Sequence, residues 1–435
     1  MMKVAQMAFS QQPAQKEILL ENPAFKEVPV LFRSLSPEIP STSYATFGLY
    51  RYPAKFIPQV IAYALKTYGV SGMRIMDPFA GYGTTGIVSR IYGNPYELWD
   101  LNPLLKFFHS AAVMSPQEEE KIDLKKAVEN SKPYVPDWGS LNYWHPEEFL
   151  DLLSKAWGYF HQLKDQRLKN LLLIPLLKTT HYFSFNDEKR LKLSRSPMAD
   201  KRIETLLEKD WKNIFYKMIW NGYLSILLKL KEYQSLNPQP VDCVIQSAVD
   251  GLAASPEKES DILITSPPYL QAQEYIRSTK MDLFWMGYSE EFIKDLGKKE
   301  IPYRDVPVVQ IHSPTYDECL NGIDEAHLQK MFKRYFYGVF GILNSLQEKI
   351  RKYLLLFVGP ANVRGNAIPM SQIFREHFTS LGWKHEITLV DTIVSRSMFL
   401  YKTNPATGIS DNRMKTEHLI VLSRERASLL GRLKN

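Results

Sequence analysis

Cysteine is almost missing: Cys243 and Cys319 are the only two in 435 residues. Two thiols so far apart make neither a disulfide framework nor the clustered spacing of a zinc site, which excludes the stapled secreted class and points to an intracellular setting. Long apolar runs are missing too. The longest, LLLIPLL at 171–177, falls far short of the ~18 residues that cross a bilayer and reads as a buried helix turn. The opening stretch, MMKVAQMAFSQQPAQKE, has no apolar core behind a basic end, so no signal peptide is expected. What the chain does contain is enough for real cores: 45% hydrophobic against 23% charged side chains describes a soluble globular protein, and the length suits about two to three domains.

An excess of one charge is confined to one place. Residues 161–240 hold 15 basic and 8 acidic side chains, an excess equal to the +7 of the whole chain, so the remainder is neutral on average. That stretch is where a polyanionic partner would be gripped.

The hydrophobic pattern divides the chain into four parts. Residues 1–44 are rich in Pro, Ser and Gln without sustained periodicity and are expected to form an arm or cover. Within 45–115, helical IPQVIAYALKTYG, strand-like MRIMD, helical TTGIVSRIYG and strand-like YELWD alternate, the opening of a parallel α/β sheet. Residues 116–237 lose strand character and read as a helical insert. Strands resume in 238–435 with VDCVIQS, DILITS and KYLLLFVG, and ITLVDTIV with EHLIVLS is expected to close the sheet as an antiparallel edge pair.

Two local patterns carry chemistry. In MDPFAGYGTTG a strand ends at Asp77, Gly81 and Gly83 allow a tight turn that a ligand can approach closely, and a helix begins near Thr84. The turn lacks the lysine of a phosphate-binding P-loop. About twenty residues on, Asp100 ends the next strand, where a carboxylate can accept ribose hydroxyls or simply cap the following LNPLLKFF. The second pattern is TSPPY: two prolines hold the chain extended beyond its strand and leave the Ser266 hydroxyl and the Pro267 carbonyl free, with Pro268 and Tyr269 following.

DPFAGYGTT followed by TSPPY resembles the S-adenosylmethionine-dependent DNA methyltransferases that modify exocyclic amino groups, and SPPY is similar to the cytosine-N4 branch. The resemblance implies an S-adenosylmethionine-dependent methyltransferase (Rossmann-like) α/β fold, a mixed seven-stranded sheet with a large helical insert as candidate target-recognition domain. It implies that Asp77, Phe79, Gly81, Gly83 and Thr84 bind the methionine part of S-adenosyl-L-methionine, that Asp100 takes the ribose, and that Asp250 lies near the adenine. RYPAKF resembles the element that closes the pocket, with Lys55 and Phe56 beside the methionine carboxylate. Ser266 and Pro267 would accept hydrogen bonds from the amino group of a flipped cytosine while Tyr269 stacks on the base. No covalent intermediate is implied: a cytosine-C5 enzyme would need a nucleophilic cysteine after proline, but Cys243 follows Asp242 and Cys319 follows Glu318. A zinc deaminase would need HxE with PCxxC, which is absent, and no metal is expected.

The basic loop SFNDEKRLKLSRSPMADKR supplies Lys189, Arg190, Lys192 and Arg195 as phosphate contacts, with Lys201 and Arg202 beyond. Arg277, with Tyr275, Lys280 and Trp285, is expected either to wall the flipped base or to form a helix face. Arg364, in GPANVRGNAIP, would meet DNA or an internal carboxylate, and Arg413 with Glu417 marks a late element. The partners implied are double-stranded DNA and a separate restriction endonuclease, with no membrane association and a cytoplasmic location in a prokaryote. The oligomeric state stays open. Adenine-N6 and RNA methyltransferases share the fold and are the rivals, with a non-catalytic nucleic-acid-binding protein further off.

Overall fold

The structure, a computed structural model, describes residues 26–116, 118–119, 122–190, 192–270, 274–393 and 414–424. The arm supplies strand β1 (Glu27–Val30) and the turn α1 (Phe32–Leu35). Next come α2 (Pro58–Tyr68), β2 (Ile75–Asp77), α3 (Thr84–Ile91), β3 (Tyr96–Asp100) and α4 (Leu104–Ala112). The insert holds α5 (Leu124–Glu129), α6 (Leu141–Trp144), α7 (Glu147–Gln162), α8 (Gln166–Tyr182), α9 (Pro197–Leu207) and α10 (Trp211–Gln234). The chain then returns with β4 (Cys243–Ser247), β5 (Ser260–Thr265), α11 (Tyr275–Trp285), α12 (Glu290–Lys299), α13 (Pro314–Asn321), α14 (Ala326–Gln347) and β6 (Ile350–Val358). A small hairpin, β7 (Ala361–Val363) and β8 (Asn366–Ile368), precedes α15 (Met370–Ser380), β9 (Lys384–Thr392) and β10 (Thr416–Ser423).

The insert helices start where the sequence caps them. Asp165, Ser196 and Asp210 each accept a backbone N–H of the first turn, and Pro197 occupies a position where its missing N–H costs nothing. The sheet runs β1-β9-β10-β6-β5-β2-β3-β4. Counting from β2, the portion β4-β3-β2-β5-β6 has the doubly wound order and is parallel throughout. β10 enters antiparallel between β6 and β9. This is the order expected of a Rossmann-like sheet, with one correction to the expected seven strands. The arm adds an eighth: β1 pairs parallel with β9, so the β9–β10 pair is not the edge. Pairing with a neighbouring segment covers a row of backbone groups that would otherwise stay open.

Strand residues alternate between two cores. Ile75, Ile262, Ile264, Leu355 and Phe357 face one side, and Met76, Leu263, Leu354 and Leu356 face the other, against α14 and α15. The first core continues without a break into the insert, through Phe149, Trp157, Leu172, Phe215 and Tyr223. The helices of the segment 116–237 therefore share the core of the sheet instead of building one of their own. Polar ties reinforce the join: Tyr233 donates to the Ile87 carbonyl at 2.9 Å, and the Ala45 amide donates to Glu232 at 3.0 Å. Within the insert, α8 and α10 approach closely because Gly222 lies against Pro175, where a Cβ would come within 2.8 Å of the proline ring.

Gly158 of α7 is tighter still: a Cβ there would sit 1.9 Å from the Lys132 carbonyl oxygen, a backbone atom that cannot rotate away. Gly158→Ala is expected to destabilise the protein by about 1–3 kcal/mol as an overpacking change, read as a lower urea midpoint. An unchanged midpoint would contradict this packing.

Candidate active site

The ends of β2, β3, β4 and β5 open into one cleft of about 930 Å³, its mouth included, at the point where strand order reverses about β2. This is where open α/β sheets bind ligands, and the size suits a nucleoside-sized molecule. Its walls come from Tyr52–Phe56, Pro78–Tyr82, Asp100–Asn102, Val249–Gly251 and the residues Ser266 and Pro268.

Asp77 holds the cleft together from behind. Its Oδ1 accepts the Thr265 hydroxyl at 2.6 Å and the Phe79 amide at 3.1 Å, and its Oδ2 accepts the Thr85 hydroxyl at 2.5 Å. It is fully buried and does not line the cleft. Burial pushes its acid up to about 6, against the pull of these donors, and the charge of Asp100 adds to the push. Asp100 does line the cleft. Its carboxylate accepts the Gly81 and Asn102 amides, both at 2.7 Å, and burial likewise raises it to about 6.

The two glycines differ in use. Gly81, with φ of 54°, faces the cleft, and a Cβ would stand 3.0 Å from the Tyr52 ring. Gly83, with φ of 87°, faces inward, where a Cβ would meet His109 at 2.9 Å. Thr84 is buried beside it with its hydroxyl unbonded. Phe79 and Phe56 border the cleft, Phe56 also stacking on Phe357 with centroids 5.4 Å apart. Lys55 borders it as well, but its ammonium turns away to the Phe47 carbonyl and lies 5.0 Å from the Tyr82 ring centroid. Desolvation, then repulsion from Lys229, lowers it to about 8. The ammonium expected beside a bound carboxylate is thus engaged elsewhere. Asp250 reaches the cleft paired to Arg304 at 2.7 Å; burial raises its acid, and the arginine outweighs that and leaves it below the ordinary range.

In TSPPY, Ser266 opens into the cleft, and neither its hydroxyl nor the Pro267 carbonyl has a hydrogen bond from any described residue. The Pro268 carbonyl is taken by the Tyr335 hydroxyl at 2.7 Å. Tyr269 does not line the cleft; its hydroxyl donates to Glu417 at 2.7 Å, which gives Glu417 a partner other than Arg413, a residue outside the described ones.

Among the described residues, the Lys189 ammonium reaches only the Met198 sulfur, at 3.9 Å, and Arg190 leans on Asp187 at 3.4 Å while two-thirds exposed. Lys192 and Arg277 share Glu274, at 2.9 and 3.1 Å. Arg364 sits exposed on the two-residue turn of the β7–β8 hairpin, 3.6 Å from Glu325. Arg195 bonds the Tyr143 carbonyl and Asp200 and covers the Phe185 ring at 4.0 Å, so it braces the fold. Arg202 does the same through the carbonyls of Tyr182, Ser184 and Asn186. Trp285 is fully buried and donates to His145 at 3.2 Å, so it forms no wall over a base.

Sequence reasoning missed Tyr52, Asn102, Glu300 and Arg304 as cleft residues. Tyr52 stood inside RYPAKF and Asn102 inside WDLN, next to residues already singled out. Glu300, whose acid burial raises to about 7, and Arg304 lie in KKEIPYRD, which has no recognisable pattern.

No family model matches the chain. It is similar to the type II methyltransferase M.BsoBI of Geobacillus stearothermophilus, 24% identical over 279 residues, which cover 58% of this chain and 54% of that one. The chain therefore spans about half the length of that relative. It is also similar to the type II methyltransferase M.MvaI of Kocuria varians, 23% identical over 421 residues and covering 88% of this chain and 91% of that one. A solved structure, the rRNA methyltransferase aviRa from Streptomyces viridochromogenes, aligns over 91% of this chain and 95% of its own at 10% identity, with a TM-score of 0.31, too low to carry an argument.

Because the folded chain holds the Asp77 proton more tightly than the unfolded chain does, its ionisation opposes folding. The contribution of Asp77 to stability is greatest below about pH 4 and falls as pH rises to about 6. Asp77→Asn removes that titration. Relative to wild type, the variant is expected to gain stability between about pH 4 and 7, by up to about 3 kcal/mol. Urea unfolding of both proteins at the two pH values checks this, and a constant difference would contradict the raised acid.

Proposed function

We propose that this protein is a DNA methyltransferase that moves a methyl group from S-adenosyl-L-methionine to the exocyclic N4 of a flipped cytosine, in a setting that includes a separate restriction endonuclease. One observation carries the reading: a single carboxylate, Asp77, ties the glycine turn to Thr265, so that Ser266 opens into the same cleft as Gly81 and Asp100. The likeness of most of the chain to a protein named a type II methyltransferase supports it, as does the order of the motifs.

The residues present fit the cofactor. A half-buried carboxylate at Asp100 with acceptor capacity left over suits ribose hydroxyls, and Gly81 leaves room where any side chain would press on Tyr52. Asp250, Phe79 and Ile342 offer the acceptor and apolar faces that an adenine would use. When bound, the cofactor supplies an electrophilic methyl group.

The chain's own part is alignment and charge support. The Ser266 hydroxyl and the Pro267 carbonyl, both spare, accept the amino protons of the base and hold its nitrogen lone pair toward the cleft. Tyr269, fixed by Glu417, and Pro268, fixed by Tyr335, keep the turn from swinging. Lys189, Arg190, Lys192 and Arg277 lie open enough to exchange their weak surface partners for phosphates, since exposed pairs contribute only about 0–1 kcal/mol. Arg364, on its exposed turn, can do the same.

Incubation with labelled S-adenosyl-L-methionine and DNA, followed by nucleoside analysis, tests reaction and base together. N4-methylcytosine is expected; N6-methyladenine would move the base assignment, and label entering structured RNA but not DNA would overturn the substrate. Ser266→Ala is expected to lower turnover at least ~100-fold, as loss of a group aimed at developing charge does, with DNA affinity nearly unchanged. Full turnover in that variant would remove Ser266 from the active site. Joint replacement of Lys189, Arg190 and Lys192 by alanine is expected to weaken DNA binding and flatten its salt dependence, by about 0.9 in the log–log slope for each phosphate no longer neutralised.

A further inference from the structure

A second cavity of about 910 Å³, its mouth included, opens beside the cleft. The two share walls. Pro53 lines both, and the segment that gives Tyr52 to the cleft gives Tyr50 and Arg51 to the second cavity. The first turns of α11 do likewise: Tyr275 and Ile276 face the cleft, Ser278 and Thr279 the second cavity. At one place the partition is a single hydrogen bond, Asn102 Nδ2 to the Thr279 hydroxyl at 2.9 Å. The far wall belongs to the insert, chiefly Lys178 and His181 of α8 and Arg190 of the basic loop.

The charges around this cavity do not balance. Glu188 is engaged with Arg202 at 3.3 Å, and His181 with the buried Asp282 at 2.7 Å. Arg190 has Asp187. Among the described residues Arg51 donates only to the carbonyls of Glu188 and Lys189, at 2.7 and 3.2 Å, and no carboxylate of theirs neutralises it. Lys178 has no hydrogen bond or ion pair with any described residue. Although its tip stays open to solvent, the surrounding protein removes water from it and Lys229 repels it, and both effects lower its affinity for a proton. A lysine with no partner among the described residues, on one cavity with Arg51 and Arg190, suits an anion that arrives from outside.

We propose that the second cavity binds a phosphodiester of the nucleic-acid strand whose base enters the neighbouring cleft, with Lys178 and Arg51 as the cations that hold it. This rests on the reading of the protein as a nucleic-acid methyltransferase. Backbone contacts of this kind set register without reading sequence, which suits a site one partition away from the reacting base. Arg51 has a double part: while it clamps the loop through two carbonyls, its guanidinium charge stays available to the phosphate.

Lys178→Met in the full chain tests this, with Lys178→Arg as the charge-keeping control and a mixed-sequence DNA duplex as the probe. The methionine variant is expected to melt no lower than wild type and to bind S-adenosyl-L-methionine unchanged by calorimetry. It is expected to bind the duplex about 3- to 10-fold more weakly at moderate salt, with a log–log salt slope smaller by about 0.9, while the arginine variant keeps both. If wild type binds the duplex and the methionine variant matches it in affinity and slope, the proposal is wrong. Loss of cofactor affinity instead would assign the cavity to the cofactor and overturn it equally. Wild type failing to bind nucleic acid would sink the underlying reading, an outcome visible without any variant.

Discussion

One buried carboxylate sets the geometry on which the candidate site depends. Asp77 stands at the end of a three-residue strand, and its oxygens receive groups from three directions: the start of the glycine turn, the first turn of α3 and the end of β5. A charge so placed is costly to desolvate, and three donors are what make it tolerable. The consequence is positional. Two loops 188 residues apart in sequence are held within one side chain's reach, so the glycine turn and the backbone that presents Ser266 cannot drift independently.

Asp100 repeats the device one strand over and extends it. Its two backbone bonds fix Gly81 and Asn102, and Asn102 passes the constraint to Thr279 of α11. Further along α11, Asp282 is fully buried between the Tyr50 hydroxyl and His181 of the insert. The cleft, the segment before the glycine turn, α11 and the insert thereby form one chain of hydrogen bonds laid over a continuous apolar core. An insert joined in this way cannot behave as a tethered module. A strand of nucleic acid seated on it would lie at a fixed distance from Ser266, which is the pre-organisation that direct displacement needs.

Much of this was legible in the sequence because the signals are local. The glycine turn, the two prolines of TSPPY, the helical pattern of the insert and the return of β-patterned segments after residue 237 all act within a few residues of themselves, and the strands fall where they were expected. What escaped depends on partners far along the chain. Nothing in RYPAKF says that Lys55 turns to the Phe47 carbonyl, and nothing near Ser266 says that Asp77 holds the preceding threonine. The eighth strand escaped for a related reason: EVPV has too few residues for a periodic signal and becomes a strand only because β9 offers an open edge.

Net charge is the quantity that folding reinterprets most. The +7 between residues 161 and 240 treats every arginine and lysine as equal, but the structure uses them differently. Arg195 and Arg202 are absorbed by carbonyls and aromatic rings, as suits a planar guanidinium with five donors. Lys229 is absorbed by the Ser43 and Ala45 carbonyls, where it fastens the insert to the segment before the cleft. The cations left for a polyanion are fewer than the count implies, and Arg51, outside the counted stretch, joins them because its partners carry no charge. The electrostatic footprint of this protein is therefore a property of which cations lack an acid, and it gathers along the seam between insert and sheet.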